Sequence, residues 1–171
     1  GKEKGIKNPL FAGTLGIGMV HQHFKLVHNF TVLENIILGK EESRFGILRK
    51  KRALNRVTEL SERYKLHVSP DAYIDKISVG MQQRTEILKM LFREAEILIF
   101  DEPTAVLTPQ EIEELMKVIN ELIMAGKSVV LITHKLNEIR MIADRCTVLR
   151  KGKLVGTVNV HDVTNDEFAE M

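Results

Sequence analysis

The sequence holds one cysteine, no tryptophan, two tyrosines and four prolines in 171 residues. A lone Cys146 closes no internal disulfide and makes no metal site by itself, so a disulfide-stapled scaffold is excluded and a reducing compartment fits. No apolar run approaches the ~20 residues that a membrane span needs. The start, Gly1-Lys2-Glu3-Lys4-Gly5, is basic but has no apolar core behind it, which does not read as a signal peptide. It also lacks an initiator Met, which leads us to expect a cut or processed start. Charge of one sign is missing too: Lys and Arg number 25 against 23 Asp and Glu, a net charge of +2. That balance does not announce a nucleic-acid or membrane surface. What is present is ordinary globular composition, 44% hydrophobic and 28% charged. The length suits one domain, or one domain with an inserted subdomain, able to bury roughly 70% of its unfolded surface.

No repeat or low-complexity tract interrupts the chain, which divides into three sections. In residues 1–28 the run Gly16-Ile17-Gly18-Met19-Val20-His21 reads as a buried strand, followed by a polar turn, Gln22-His23-Phe24-Lys25. Residues 29–94 read as all-helical. Thr31 and Glu34 form a capping box, and the short helix they open should end at Gly39. A helix over 49–66 places Ala53, Val57, Leu60 and Tyr64 on one face. Ser69-Pro70 breaks it from a third helix, which starts after Ser78 and runs to about Arg93.

Residues 95–171 alternate. Ile97-Leu98-Ile99-Phe100 and Ser128–Thr133 are continuous apolar runs, the pattern of strands covered on both faces in a parallel sheet. Between them Thr108 and Glu111 form a second capping box with Pro109 at the first helical position. That helix carries Ile112, Leu115, Met116, Ile119, Leu122 and Ile123 on one face, and Gly126 stops it. A helix over about 135–143, strands near 146–150 and 153–158, and a short helix after Thr164 complete the chain. The order β-α-β-α-β predicts an α/β sheet.

Ligands of such sheets gather beyond the carboxyl ends of the strands. Gln22, Asp101-Glu102 and His134 each follow a predicted strand, so three strands would deliver them to one edge. Asp101 is placed to hold Mg²⁺ beside a phosphate, and Glu102 to act on an attacking water. Two solvated acids ending a strand before Pro103 would look the same, and a histidine after a strand is often only a cap. Ser78 opens a helix whose first amides suit an anion, or it is a plain N-cap. Gly80 favours the first reading, since glycine in a first turn costs stability unless something must approach the backbone closely. His21, His23, His28, His67 and His161 show no ligand spacing. Gly126-Lys127-Ser128 imitates the end of a P-loop, but Glu121 stands where that pattern needs glycine, and the context runs helix to strand rather than strand to helix.

Together these residues resemble the nucleotide-binding domain of ATP-binding cassette (ABC) proteins. Ile77-Ser78-Val79-Gly80-Met81-Gln82-Gln83-Arg84 looks like the signature motif, and Ile97 to Glu102 like the Walker B strand with its glutamate. Ala105-Val106-Leu107-Thr108 resembles the D-loop, Thr133-His134 the H-loop and Val20-His21-Gln22 the Q-loop, all in family order. Val79 stands where many members have Gly, and Thr108 where many have Asp; both look like the sugar and nucleoside importer branch, where two cassettes are often fused. The resemblance implies part of a first cassette, a fragment that starts after the P-loop, because no G-x-x-x-x-G-K-[ST] occurs in the chain.

What the resemblance implies is specific. The fold would be a partial P-loop NTPase core with a parallel sheet and an inserted all-helical subdomain. Residues 1–28 would be a core segment ending in the Q-loop, 29–94 the helical signature subdomain, and 95–171 the C-terminal half of the core. Glu102 and His134 would be catalytic. Ser78, Gly80 and Gln82 would contact nucleotide held by the other cassette, and Asp101 with Gln22 would serve the metal. ATP and Mg²⁺ would be the cofactors, without tight binding by this fragment, which is expected to be inactive alone. Its partners would be a second cassette in head-to-tail pairing, permease subunits reached through the helical subdomain and a solute-binding protein, but no nucleic acid. It would lie on the cytoplasmic face of the membrane, taking part in sugar or nucleoside uptake. An apolar face left open on strands 97–100 and 128–133 would favour self-association. A non-transport ABC ATPase of DNA repair or translation, or a purely structural module, would share these motifs.

Overall fold

A computed structural model describes residues 3–41, 43–44, 47–48 and 50–171. The helices form where local chemistry closes their ends. α1 (Pro9–Thr14), not expected from the sequence pattern, forms because Asn8 caps the first turn and proline occupies it. In α2 (Val32–Ile37) the Thr31–Glu34 capping box is complete in both directions. The box at Thr108–Glu111 opens α5 (Pro109–Met124), and a third at Thr164–Glu167 opens α7 (Asn165–Glu170). Gly126, at φ +87°, takes the left-handed conformation that ends α5, so the apparent P-loop triplet is a helix stop. The remaining helices are α3 (Lys50–Arg63), α4 (Val79–Phe92) and α6 (Leu136–Ile142). The expected start of α3 at residue 49 lies outside the described residues.

Three strands make one parallel sheet in the order β1 (Ile17–Val20), β4 (Ile97–Asp101), β5 (Ser128–Ile132). Val20 pairs with Phe100, and Asp101 with Ile132, so the carboxyl ends of all three strands lie side by side. The fold is α/β, as expected.

Two expectations fail locally, and a third point is decided between two readings. Residues 29–94 are not wholly helical: β2 (Ser43–Arg44) and β3 (Ile47–Leu48) form a short antiparallel pair there. The strands predicted near 146–150 and 153–158 exist as β6 (Arg145–Arg150) and β7 (Lys153–Asn159), but among the described residues they pair only with each other, as a hairpin. Arg140 of α6 holds the chain beyond that hairpin by donating to the carbonyls of Val160 and Val163 and lying over the Phe168 ring. Lastly, the pattern of strands covered on both faces gives way to the open face that the fragment resemblance implied: the runs 97–100 and 128–132 are covered on one side only. Leu98 and Phe100 are fully buried, whereas Ile97, Val130 and Ile132 stay 36%, 48% and 46% exposed. A continuous apolar run therefore marked strands correctly but not their burial.

The helical segment packs more completely. Ile36 of α2, Ile87 and Leu88 of α4, and Ile74 of the 3₁₀ turn Ile74–Lys76 are all fully buried. Two polar grips fix the loop between β1 and α2. Glu86, on α4, accepts from the backbone N–H of Lys25 at 2.6 Å, and Lys89 donates to the carbonyl of Lys25 at 3.0 Å. Fully buried Asn35 does the same for Val27, accepting from its N–H at 2.6 Å and donating to its carbonyl at 3.0 Å. Buried polar groups keep their stability cost low by being paired, and here the partners are main-chain groups of a loop with no ladder of its own.

Candidate functional site

The site lies beyond the carboxyl ends of the parallel strands. β4 ends at half-buried Asp101, and the next residue, Glu102, leaves the strand with φ +47°, a conformation unusual for a side chain of this size. Its N–H donates to the Ile132 carbonyl at 2.9 Å, so β5 holds the turn. This turn aims the carboxylate toward the end of β5. There Oε1 of Glu102 lies 2.9 Å from Nδ1 of His134. The second oxygen, Oε2, is buried with no hydrogen-bond partner among the described residues. A buried carboxylate oxygen left unpaired is costly, and a strained backbone carrying it is a feature that clusters at functional sites. His134 itself is mostly exposed, with 75% of its side chain accessible. One edge of the ring is therefore tied to Glu102 while the rest faces solvent.

Gln22 follows β1 on the same sheet edge, two residues past Val20, and is exposed. The topology thus brings Gln22, Asp101, Glu102 and His134 to one rim, and a direct side-chain contact joins Glu102 to His134.

The N-terminus of α4 is a second feature. Ser78 is its N-cap, its Oγ accepting from the Met81 N–H at 3.3 Å. The amides of this turn already have an anionic neighbour. Oε1 of Glu111 accepts from the Gly80 N–H at 3.2 Å and from the Ser78 hydroxyl at 3.5 Å, while Oε2 closes the α5 capping box. A Cβ added at Gly80 would lie 2.7 Å from Glu111 Oε1, so the close approach expected at this glycine is made by Glu111. These bonds hold the Glu111 carboxyl below its ordinary range, chiefly through the Thr108 N–H, with the Thr108 hydroxyl, Gly80 and Ser78 adding to it against partial burial. A cleft of about 250 Å³ opens beside this cap, lined by His67, Arg84 and Glu114 among others. The Gln82 amide donates to the Ile74 and Ile77 carbonyls at 3.2 and 3.4 Å.

Two contributors were not legible from spacing. Gln83, almost fully buried, donates to the Pro103 carbonyl at 2.7 Å and so ties α4 to the loop that follows Glu102. Glu138, on α6, is buried and joins the loops carrying Glu102 and His134. Only a three-dimensional arrangement unites these positions. Among the described residues no group of three or more His, Cys, Asp or Glu is gathered to hold a metal, and no helix is long and apolar enough to cross a membrane.

Comparison with known proteins agrees with this architecture. The sequence profile ABC_tran, described as ABC transporter, matches residues 12–105. The chain is 61% identical over its whole length to the "Nucleoside import ATP-binding protein NupA" of Lactococcus lactis subsp. cremoris, covering 34% of that protein. It is 58% identical to the "Guanosine import ATP-binding protein NupO" of Bacillus subtilis, again covering 34%. The chain thus spans about a third of the length of these relatives. Among solved structures it resembles cbiO1 from Clostridium perfringens, part of the ABC transporter complex cbiONQ, with a TM-score of 0.74 and 25% identity, covering 95% of this chain and 64% of that one. The family profile covers more than half of the sequence, and relatives at 61% and 58% identity are ATP-binding proteins of importers, so the chain belongs to the ABC transporter family of ATP-binding cassette proteins.

Proposed function

We propose that this chain is part of the ATP-hydrolysing subunit of an importer that takes up a nucleoside or simple sugar. The observation that carries the ATPase reading is the Glu102–His134 contact of 2.9 Å, with the other Glu102 oxygen buried and unpaired among the described residues. A carboxylate so placed can accept a proton from an attacking water, and a general base of this kind contributes typically 10²–10⁴-fold in rate. His134 orients Glu102 and offers its remaining edge to a phosphate. The import reading, and its preference over DNA repair or translation, is supported by the named activities of the relatives at 61% and 58% identity.

The residues present fit ATP and Mg²⁺ as partial contributors. Mg²⁺ is usually held by one or two carboxylates together with substrate phosphates rather than by an all-protein cage. Asp101 supplies such a carboxylate, with Gln22 on the same rim, and the unpartnered Glu102 oxygen is an acceptor awaiting a donor. When bound, the metal would neutralise charge on the phosphates. Ser78 and Gly80 would face nucleotide held by a second cassette, and Glu111 must turn away for a phosphate to reach their donors.

No G-x-x-x-x-G-K-[ST] occurs in these 171 residues, and that loop supplies much of a phosphate grip. The chain by itself is therefore expected not to turn over ATP. In the larger protein we place residues 1–28 and 95–171 in the catalytic core and 29–94 against a permease, with a solute-binding protein in the complex at the cytoplasmic face of a membrane. Phosphate release by the purified chain tests the first point: turnover above that of Glu102→Gln would refute it. Solute-stimulated ATP hydrolysis by the full-length protein with its permease tests the second: stimulation by a nucleoside or sugar is expected, and none by either class would overturn the import reading.

A further inference from the structure

The mechanism above uses Glu102 and His134 but leaves a buried carboxylate unexplained beside them. Glu138 is 3% exposed. Its Oε1 accepts from the Thr104 hydroxyl at 2.5 Å and its Oε2 from the Thr133 hydroxyl at 2.8 Å. Lys135 closes the group: its Nζ lies 3.4 Å from Glu138 Oε1, donates to the Thr104 hydroxyl oxygen at 2.9 Å and carbonyl at 3.2 Å, and its N–H donates to Thr133 Oγ1 at 3.1 Å. Thr104 stands two residues after Glu102, and Thr133 one residue before His134. One carboxylate therefore takes a hydroxyl from each of the two loops that carry the functional pair.

We infer that Glu138 is a positioning residue that sets the separation of Glu102 and His134 by cross-linking the loops beyond β4 and β5 through Thr104 and Thr133. The physical case is one of balance. A carboxylate this buried is tolerated only when paired and hydrogen-bonded. Both its oxygens have donors, and a cation lies within salt-bridge distance. An apolar residue could fill the space, but it could not hold two loops in register. Contact between Glu102 and His134 alone would not fix them, because the His134 ring is largely exposed. Glu102 is already strained at φ +47°, so its conformation depends on what surrounds it. Misplacement by about 1 Å at such a site can cost on the order of 100-fold in rate.

The catalytic consequence rests on the ATPase reading, but the positioning does not, and the test separates them. In the 171-residue chain, the imidazole nitrogens of His134 are observed by NMR at fixed pH, with and without Glu102→Gln. The wild-type background should show a clear Nδ1 shift on Glu102→Gln, because the contact is made. In the Glu138→Gln background, and more weakly in Thr133→Val and Thr104→Val, that shift should fall by half or more. A shift of unchanged size in folded Glu138→Gln overturns the inference. If Glu138→Gln fails to fold, the two threonine variants decide: each removes one hydroxyl at constant shape, and an unchanged shift in both overturns it. In the full-length protein, Glu138→Gln should lower kcat by about 10- to 100-fold while leaving KM for ATP within about twofold. A wild-type kcat there would likewise overturn the catalytic consequence. If the full-length protein hydrolyses no ATP, the ATPase reading falls while the NMR result still judges the cross-link.

Discussion

Around α4, Ile36, Ile74, Ile87 and Leu88 are fully buried and two loop residues are gripped by buried polar side chains, whereas along β5 Val130 and Ile132 remain nearly half exposed. Both regions are built from apolar residues. They differ in where the complementary surface comes from. The helical segment satisfies itself: α2, α3 and α4 bury one another, and Glu86, Lys89 and Asn35 supply the bonds that the loop backbone needs. The sheet packs α4 and α5 on one side and presents apolar side chains on the other. Burial is thus a property of what is packed against a strand, not of its composition.

The largest effect should come from breaking the polar grip. Lys89 is buried beside Glu86, and burial pushes its amine below the usual lysine range, opposed by the Glu86 charge. Glu86→Ala leaves that amine without its counter-charge and the Lys25 amide without its acceptor. Removal of one partner of a buried pair typically costs about 3–5 kcal/mol, readable by urea unfolding. Leu88→Ala should follow at about 2–5 kcal/mol, the usual range for a fully buried leucine. The matching change on the sheet, Val130→Ser, should stay within about 0.5 kcal/mol. A cost at Val130 equal to that at Leu88 would erase the contrast. It would show that a second copy already covers the sheet face. We propose such self-association at high concentration; light scattering should report a dimer that Val130→Glu with Ile132→Glu returns to monomer.

The smallest effect is shared by both halves. Glu34, Glu111 and Glu167 each close a capping box, and each carboxyl is held below its ordinary value of 4.5, first by the N–H of its own N-cap threonine. A carboxyl with a folded pKa below its unfolded one adds stability above the ordinary range and loses it as pH falls through the depressed value. Acidification below about 4.5 should therefore destabilise the chain. The Glu111→Gln variant should show a shallower loss than wild type.

Much of this fold was legible because it is local. The Thr31–Glu34 and Thr108–Glu111 boxes, Pro109 and Gly126 each act within four residues, and the helices they bound stand where they were expected. The shared rim of Gln22, Asp101, Glu102 and His134 was also readable, since parallel strands place their carboxyl ends together. The illegible parts are those made by distant residues. Nothing in spacing pairs Glu86 with residue 25, Glu138 with Thr104, or Glu111 with Gly80. Gly80 did signal a close approach, but the partner lies 31 residues away on another helix. The apolar run at 128–132 does not by itself reveal the open face of its strand, which only the fragment resemblance implied.

If Glu102, held against His134, is the base of the reaction in the larger protein, its loss should stop hydrolysis and spare binding. Steady-state ATP hydrolysis by the full-length protein with Glu102→Gln tests it most directly, alongside nucleotide binding. Binding should be retained and hydrolysis reduced by at least about 100-fold. Hydrolysis at the wild-type rate with the substitution in place would contradict it.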